Sequence, residues 1–366
     1  IVPELQGPAD GLSLTLRVQG ESGIAFETYA SPGEPLKIII PGFKPWSPSS
    51  PELYDCEIIL SENKKLSDRV STYFGFREVS LGIDTDGFTK IFLNGKFLFQ
   101  NGPLDQGFWP DGLYTPPTEE AMKYDLEMTL KLGFNMLRKH VKVENRRFYY
   151  WCDVMGLLVW QDMPSGDSYI GGSDPDIAKS IEDTKQFEFE LARLIETKFN
   201  NPSIIMWVPF NEGWGQFETG RVTDFIRELD PTRLVNSASG WTDRGTGDIL
   251  DIHHYPDPRS PEPEVSRAIV LGEFGGLGLP VQDHTWEQKN WGYRNMMNSE
   301  ELLTLFTQYY DTIYRFVLSA GLSAVIYTQT TDVETETNGL LTYDRKVDKM
   351  GFQNVSKANK GSLPPG

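Results

Sequence analysis

Hydrophobic and polar residues alternate over the first part of the chain. Leu12–Val18 (LSLTLRV) and Tyr54–Leu60 (YDCEIIL) alternate most clearly, Pro35–Ile40 is an apolar run, and Val70–Ser80 is a further candidate strand. Short segments of this kind, separated by Pro, Gly and Ser clusters, are typical of strands in an antiparallel sandwich. The pattern therefore predicts a small all-β domain over residues 1–84.

After this region the pattern changes. Phe88–Leu98 reads as a hairpin with Asn94-Gly95 at its turn, which is a strong local signal. Short apolar runs then alternate with amphipathic stretches, and such runs are typical of parallel strands that are covered on both faces. The predicted strands are Phe99–Gln106, Phe134–Lys139, Leu157–Gln161, Ile204–Phe210, Leu234–Ala238, Ile249–His253, Ile269–Gly272 and Leu322–Tyr327.

The stretches between these strands have helical periodicity. The predicted helices are Thr118–Leu132, Asn145–Met155, Ile177–Phe199, Phe217–Leu229 and Glu300–Ala320. Eight strands alternating with helices predict an α/β fold, a (β/α)8 TIM barrel over residues 85–366. An open doubly wound sheet is the alternative, but no Gly-rich phosphate loop follows the early strands. Lys357–Gly366 reads as a frayed terminus.

Composition narrows the possible functions. A net charge of −18 argues against a nucleic-acid partner, because the chain offers no basic stripe to neutralise phosphates. No stretch approaches the roughly 18 to 20 apolar residues of a membrane span. Cys56 and Cys152 are the two cysteines, and we expect two free, buried thiols. The 12% of aromatic residues suits either a core or a sugar-binding cleft.

Two glutamates follow apolar strands of the predicted barrel. The fourth strand leads to Asn211 and Glu212, and the seventh leads to Glu273. Catalytic groups of a barrel lie at the carboxyl ends of its strands, and a carboxylate directly after a buried run is costly unless it is paired or used. Glycosidic cleavage needs two facing carboxyl groups, one to protonate the leaving oxygen and one to attack the anomeric carbon. A salt-bridged strand terminus is the structural alternative for either residue.

The segments NPSIIMWVPFNEGWG and IVLGEFGG resemble the acid/base and nucleophile motifs of glycoside hydrolase family 2. This family includes β-galactosidases, β-glucuronidases and β-mannosidases. The resemblance extends through GFREVSLG, FLNGKFLFQNG, GFNMLRKH and GLLVWQDMP, from Tyr73 to about Asp344. It implies that the first domain is immunoglobulin-like and that the chain is a retaining exo-β-glycosidase that needs neither a metal ion nor a cofactor.

The resemblance also implies roles for individual residues. Glu212 matches the general acid/base, Glu273 the nucleophile, and Asn211 a residue that hydrogen-bonds the sugar 2-hydroxyl. We expect Glu273 to be ionised and Glu212 to be protonated before attack.

Further residues are candidates for binding the substrate. Arg138 matches a residue that pairs with the nucleophile, and Tyr255 one that hydrogen-bonds it. Asp162 resembles a carboxylate that holds remote hydroxyls of the terminal sugar. His140 and His253 are candidates for contacts with the sugar. For both histidines and for Asp162 a structural role stays open.

Tryptophans after the strands are candidates for the walls of the sugar site. Trp214, Trp241 and Trp291 lie in Gly-rich or polar loops, where loop packing is the alternative role. The chain also departs from the family: Tyr327 and Gln329 stand where the eighth strand commonly has a Trp, and no convincing Asn-x-Lys carboxylate clamp of β-glucuronidases is found. We predict a β-galactosidase, with β-glucuronidase or β-mannosidase as alternatives.

Two other classes of protein compete with this interpretation. A metal-dependent hydrolase would use His253, His254, Asp251 and Asp162, but adjacent histidines on a strand point to opposite faces. A non-catalytic carbohydrate-binding protein would keep the aromatic residues without needing both carboxylates. The chain begins at Ile1 and lacks the family's usual amino-terminal jelly roll, so we expect a mature or excised segment. We expect a periplasmic or secreted location and a carbohydrate substrate, with no nucleic-acid or membrane partner.

Overall fold

The computed structural model describes residues 1–3, 5–20 and 23–361. The chain divides into two compact units: Ile1–Arg77 with Asn200–Pro202, and Glu78–Phe199 with Ser203–Gly366. The sequence placed the boundary after residue 84, whereas β5 (Val79–Ile83) pairs with β6 (Thr89–Leu93) and lies in the larger unit. Among the described residues, no helix combines the length and apolarity needed to cross a bilayer.

The smaller unit contains one antiparallel sheet in the order β2-β1-β3-β4. Its strands are β1 (Leu12–Gly20), β2 (Gly23–Ala30), β3 (Tyr54–Glu62) and β4 (Lys65–Phe74). Leu16, Val18 and Cys56 point to one face of this sheet and form a buried core. The predicted alternating strands are confirmed. The predicted strand Val70–Ser80 is instead divided between β4 and β5.

The predicted strand Pro35–Ile40 is wrong, although its side chains pack like those of a strand. Leu36, Ile38 and Ile40 lie against the core of the small sheet, and the residues between them are exposed. The backbone makes no ladder there, and proline at either end removes N–H donors that a ladder needs. This extended segment forms the layer that faces the sheet.

The larger unit is an eight-stranded parallel sheet curled into a nearly closed barrel, which confirms the predicted (β/α)8 fold. The order of its strands is β12-β11-β10-β9-β8-β17-β14-β13. These strands are β8 (Gln100–Asp105), β9 (Met136–Lys139), β10 (Leu158–Asp162), β11 (Ile204–Val208), β12 (Leu234–Val235), β13 (Ile249–His254), β14 (Ala268–Gly275) and β17 (Ala324–Thr328). All eight overlap the predicted runs.

Smaller sheets flank the barrel. The predicted hairpin is formed by β6 and β7 (Lys96–Phe97), with its turn at Asn94-Gly95. Two short strands, β15 (Leu277–Gly278) and β16 (Arg294–Asn295), pair within the long connection that follows the seventh barrel strand.

Six helices are found among the described residues, and five of them were predicted. They are α1 (Glu119–Lys131), α2 (Arg146–Met155), α3 (Ile181–Lys198), α4 (Thr219–Leu229), α5 (Ser299–Ser319) and α6 (Phe352–Lys360). The Thr118 side chain accepts a hydrogen bond from Ala121 N and caps α1. The frayed terminus predicted from Lys357 is wrong as far as Lys360, which α6 includes. Residues 362–366 lie outside the described residues.

Side chains bridge the gap between the edge strands β12 and β13. The Asp251 carboxylate accepts hydrogen bonds from Asn236 Nδ2 (2.7 Å) and Ser239 Oγ (2.5 Å) across this gap, and from Gly272 N on β14 (2.7 Å). A Cβ on Gly272 would lie 2.1 Å from Asp251 Oδ1, so this close approach requires glycine. These contacts hold the carboxyl ends of three barrel strands together.

Candidate active site

Glu212 lies in a tight turn four residues after the end of β11. Its backbone φ is 53°, in the left-handed region that non-glycine residues seldom adopt. Glu212 N donates to Ser239 O at 2.8 Å, which fixes the turn to the loop after β12. The side chain is 21% exposed. The strained turn thus directs a partly solvated carboxyl group over the barrel mouth.

Glu273 lies within β14 and is nearly buried, at 5% exposure. Its carboxylate accepts a hydrogen bond from Tyr255 Oη at 2.6 Å and one from Arg138 Nη1 at 3.2 Å. His140 Nε2 and His253 Nδ1 each lie 3.6 Å from one of its oxygens. The predicted pairing of Arg138 and Tyr255 with this carboxylate is therefore present in the structure.

His253 lies between the two glutamates. Its Nδ1 is 2.8 Å from Glu212 Oε1, and its Nε2 is 2.7 Å from Ser239 Oγ. Burial lowers the pKa of His253, but the negative charge of Glu273 and the contact with Glu212 outweigh burial and raise it. The ring is positioned to hold Glu212 and to share a proton with it. His254 is directed away, toward Asp257 O, as expected for the next residue of a strand.

Arg138 is fully buried and joins three acidic or amide groups. It donates to both oxygens of Asp162 at 3.1 and 2.9 Å, and to Asn211 Oδ1 at 2.8 Å. Asp162 also accepts a hydrogen bond from Val141 N. Both oxygens of Asp162 thus accept hydrogen bonds from Arg138, and one of them also accepts from Val141 N. Asp162 therefore holds Arg138 in position. A direct contact between Asp162 and a sugar stays a prediction.

Burial determines the charges in the site. It raises the pKa of Glu273 to about 7, although His253, Arg138 and Tyr255 oppose that rise and Glu212 adds to it. That Glu273 is ionised stays a prediction, because its neighbours offset burial only in part. Burial and Arg138 lower the pKa of His140 well below its usual range, so His140 is neutral.

A cavity of about 320 Å³ opens beside Glu212. Its lining includes His140, Asn211, Glu212 and Trp214. His140 Nε2 is buried and has no hydrogen-bond partner among the described residues. Trp214 is 45% exposed and packs against the Tyr169 ring. These residues were predicted separately, and the barrel brings them to one cavity.

Trp241 lies on another side of the site. Its ring meets the His253 ring edge-to-face, with centroids 6.0 Å apart, and it is as exposed as Trp214. Trp291 packs against Tyr293. The Tyr293 ring in turn stacks on the ring of Tyr255, with the two centroids 3.7 Å apart. The three loop tryptophans thus stand at different points around the mouth.

Sequence reasoning missed several polar residues of the mouth. Ser239 holds His253, and Thr328 Oγ1 lies 2.6 Å from Tyr255 Oη. Gln106, which lines the cavity, donates to Gln329, and Gln329 donates to Glu336. Gln329 departs from the family pattern, and this departure could have indicated that it belongs to the mouth. The loop residues carried no periodicity from which to find them.

The metal-hydrolase alternative required His254, Asp251 and Asp162 beside His253, and the structure does not bring these together. Instead, Glu212, His253 and Glu273 each offer a ligand atom within 4.8 Å of the others. Arg138 already supplies positive charge 3.2 Å from Glu273, which weakens the attraction of this group for a cation. Cys56 and Cys152 are free and buried, as predicted.

Comparison with known proteins agrees with this geometry. The family description "Glycosyl hydrolases family 2, TIM barrel domain" matches residues 115–274, and "Glycosyl hydrolases family 2" matches residues 13–77. A β-galactosidase from Thermoanaerobacterium thermosulfurigenes is 31% identical over 216 residues, which are 58% of this chain and 28% of that protein. A β-glucuronidase from Bacteroides fragilis is 26% identical, covering 91% of this chain and 51% of that protein.

The fold is also similar to that of solved structures. The FMN-binding β-glucuronidase from Facaelibacterium prausnitzii L2-6 superposes with a TM-score of 0.75 at 19% identity, over 95% of this chain and 57% of that one. The chain thus spans between about a quarter and somewhat more than half of the proteins named here. Because both matching family descriptions name one family, and together cover the small β domain and most of the barrel strands that carry the site, the chain belongs to glycoside hydrolase family 2.

Proposed function

We propose that the chain carries the catalytic centre of a retaining exo-β-glycosidase that removes terminal β-linked sugars from glycans. The observation that carries this proposal is the approach of the two glutamates, since one carboxylate oxygen of Glu212 lies within 4.8 Å of one of Glu273. Retaining enzymes hold their carboxyl groups roughly 5–5.5 Å apart, whereas inverting enzymes hold them roughly 6.5–9.5 Å apart to admit a water. The short separation supports retention.

In the first step, Glu273 attacks the anomeric carbon as Glu212 donates a proton to the glycosidic oxygen. The bond to the leaving group breaks, the leaving group departs as an alcohol, and a glycosyl-enzyme ester forms on Glu273. Arg138 and Tyr255 hold Glu273 in line for this attack, because each donates a hydrogen bond to it.

In the second step, ionised Glu212 removes a proton from water, and the water oxygen attacks the anomeric carbon. The ester bond breaks and Glu273 leaves as a carboxylate. Asn211 accepts from Arg138 through Oδ1, which leaves its amide N–H groups for the sugar. His253 orients Glu212 for both proton transfers.

Galactose is the first choice for the terminal sugar. The cavity beside Glu212 has no Lys or Arg among the described residues that line it, and Arg138 is engaged by four acceptors, which are Asp162, Asn211, Glu273 and Gly272 O. A uronic acid would therefore bring a carboxylate to a site without a free cation, which favours a neutral sugar. β-Glucuronidase is the second choice because a relative with that name covers 91% of the chain, and β-mannosidase is a further alternative.

The activity and its stereochemistry can be tested together on a panel of p-nitrophenyl β-glycosides. We expect one neutral glycoside to be hydrolysed, and proton NMR to detect the β-anomer of the free sugar before mutarotation. The α-anomer appearing first would contradict retention. Tight binding of a sugar without turnover of any glycoside would favour the non-catalytic carbohydrate-binding alternative. A periplasmic or secreted location stays a prediction, and fractionation of the source cells would test it.

A further inference from the structure

A third carboxylate stands at the barrel mouth, outside the catalytic pair. Glu336 lies in the loop after β17 and is half-buried. Its Oε1 accepts a hydrogen bond from Asn338 Nδ2 at 3.0 Å, and its Oε2 accepts one from Gln329 Nε2 at 3.1 Å. Two amide donors therefore fix the orientation of this carboxylate, and neither of them carries a charge.

Hydrogen bonds connect Glu336 to the cavity beside Glu212. Gln329 is 1% exposed, and its Oε1 accepts from Gln106 Nε2 at 2.8 Å. Gln106 lines the same cavity as Glu212. The path from Glu336 through Gln329 to Gln106 thus ends at the wall of the candidate sugar site.

Backbone and ring contacts also connect Glu336 to Tyr255, the tyrosine that donates to Glu273. Glu336 forms a parallel bridge with Trp291, and Thr337 N donates to Trp291 O at 2.9 Å. The Trp291 ring packs against Tyr293, which stacks on Tyr255, the donor to Glu273. A chain of contacts therefore leads from Glu336 to the carboxylate of Glu273.

The charge of Glu336 is uncompensated, unlike that of two other buried carboxylates, Glu273 and Asp332. Glu273 has Arg138, and Asp332 has Lys349 at 2.6 Å, whereas no ion pair is formed by Glu336 within the described part of the chain. Burial raises its pKa, and the charge of Glu212 raises it further, which places Glu212 in its electrostatic neighbourhood. A carboxylate held by two neutral amides keeps lone pairs for further hydroxyl donors and repels other carboxylates.

We propose that Glu336 determines which sugar is accepted: it receives hydrogen bonds from hydroxyl groups of the terminal sugar and excludes sugars that carry a carboxylate. This inference rests on the proposed glycosidase function and deepens it, because it assigns the preference for neutral sugars to one residue. Glu336 takes no part in the bond-breaking steps. Its removal should therefore change the ratio between substrates rather than abolish turnover.

The test compares kcat/KM for p-nitrophenyl β-galactoside and the matching β-galacturonide. In Glu336→Gln, we expect kcat/KM for the galactoside to fall about tenfold, mainly through KM, because one hydrogen bond to a charged acceptor is weakened. The value for the galacturonide should stay or rise, so the ratio narrows by at least about tenfold. Glu336→Asp keeps the charge and should keep most of the exclusion of the galacturonide.

Glu334→Gln is the matched control, since Glu334 is an exposed glutamate of the same loop and makes no ion pair among the described residues. Glu334→Gln should leave kcat/KM unchanged for both the galactoside and the galacturonide. An unchanged ratio in Glu336→Gln, with equal losses on both substrates, would mean that Glu336 only supports the loop and would overturn the inference alone. A wild-type protein with a higher kcat/KM for the galacturonide than for the galactoside would also overturn this inference alone. Silence of the wild type on every glycoside would overturn the proposed function with it.

Discussion

The ends of β11 and β14 each carry a glutamate of the site, and they hold it in different ways. Glu273 is part of a barrel strand, is 5% exposed, and has donors or cationic groups on several sides. Glu212 lies beyond its strand on a left-handed turn, is 21% exposed at the side chain, and has His253 as its close partner. The same residue type therefore occupies a rigid, dry position and a looser, wetter one.

This difference matches the two tasks of a double displacement. A nucleophile has to meet one carbon at a fixed distance, and a strand with fixed hydrogen bonds provides that precision. An acid/base has to release a proton to the leaving group and recover one from water, which needs contact with solvent and a neighbour that shares protons. His253 fits the second requirement, since it contacts Glu212 directly and approaches Glu273.

Replacing the rigid glutamate should have the largest effect. In Glu273→Gln the carboxamide has nearly the same shape but cannot form the glycosyl ester, so kcat/KM should fall at least about 10⁴-fold on every glycoside. Steady-state kinetics on the best substrate, with circular dichroism to verify folding, would measure this. Glu300→Gln, an exposed glutamate at the start of α5, is the control. If purified Glu273→Gln kept more than about 1% of the wild-type activity, the nucleophile would have to be a different residue.

Replacing the looser glutamate should have a smaller effect that depends on the leaving group. General acid catalysis contributes about 10²–10⁴-fold, and a leaving group that is stable as an anion needs little of it. In Glu212→Gln, we therefore expect a large loss of glycosylation rate on alkyl glycosides and a small one on dinitrophenyl glycosides. Equal losses across a series of leaving-group pKa values would contradict the role of proton donor.

Much of this arrangement could be predicted from the sequence. Mostly apolar runs located seven of the barrel strands, and the eighth was placed near Phe99–Gln106 to complete the barrel, although its sequence (QNGPLD) is largely polar. The rule that parallel strands bring their carboxyl ends together placed Glu212 and Glu273 at one mouth. The Pro35–Ile40 segment shows where such patterns fail, because burial of alternate side chains does not require a hydrogen-bonded ladder. The helix α6 was missed because its sequence is short and polar, and only packing reveals its buried Val355.

The charges of the site could not be predicted in the same way. The resemblance to the family suggested that Asp162 meets the sugar, which stays a prediction, but it did not indicate the contact of Asp162 with Arg138, from a different strand. The pKa of Glu273 is raised by burial and by Glu212 and lowered by His253, Arg138 and Tyr255, which lie far from it in the sequence or on another strand. Gln329 and Glu336 meet only because the loop after β17 folds back. Such contacts between distant residues leave no local signal in one sequence.

The pH dependence of kcat/KM should report the protonation of the rigid glutamate in the free enzyme. Since the pKa of Glu273 is raised to about 7, the group loses its nucleophilic form as the pH falls below that value. We expect kcat/KM to decline about tenfold per pH unit toward pH 5, with an apparent pKa that reflects Glu273 together with its charged neighbours. An acidic limb near pH 4.5, the ordinary glutamate value, would show that the donors offset burial completely.

Tyr255→Phe should shift the acidic limb of the pH dependence of kcat/KM but should not abolish it. Tyr255 donates to Glu273 at 2.6 Å and thereby favours the ionised carboxylate. Without this donor the pKa of Glu273 should rise, so the acidic limb should shift to higher pH, by about one unit or less for a bond of about 1.5 kcal/mol to a charged group.

Tyr293→Phe is the matched control, because Tyr293 stacks on Tyr255 but is not the donor to Glu273. At a pH well above the limb, Tyr255→Phe should keep most of its activity, because the carboxylate is ionised there in both proteins. A shift toward lower pH would mean that Tyr255 acts on the protonated form, and would reverse the role assigned to it at the rigid end of the site.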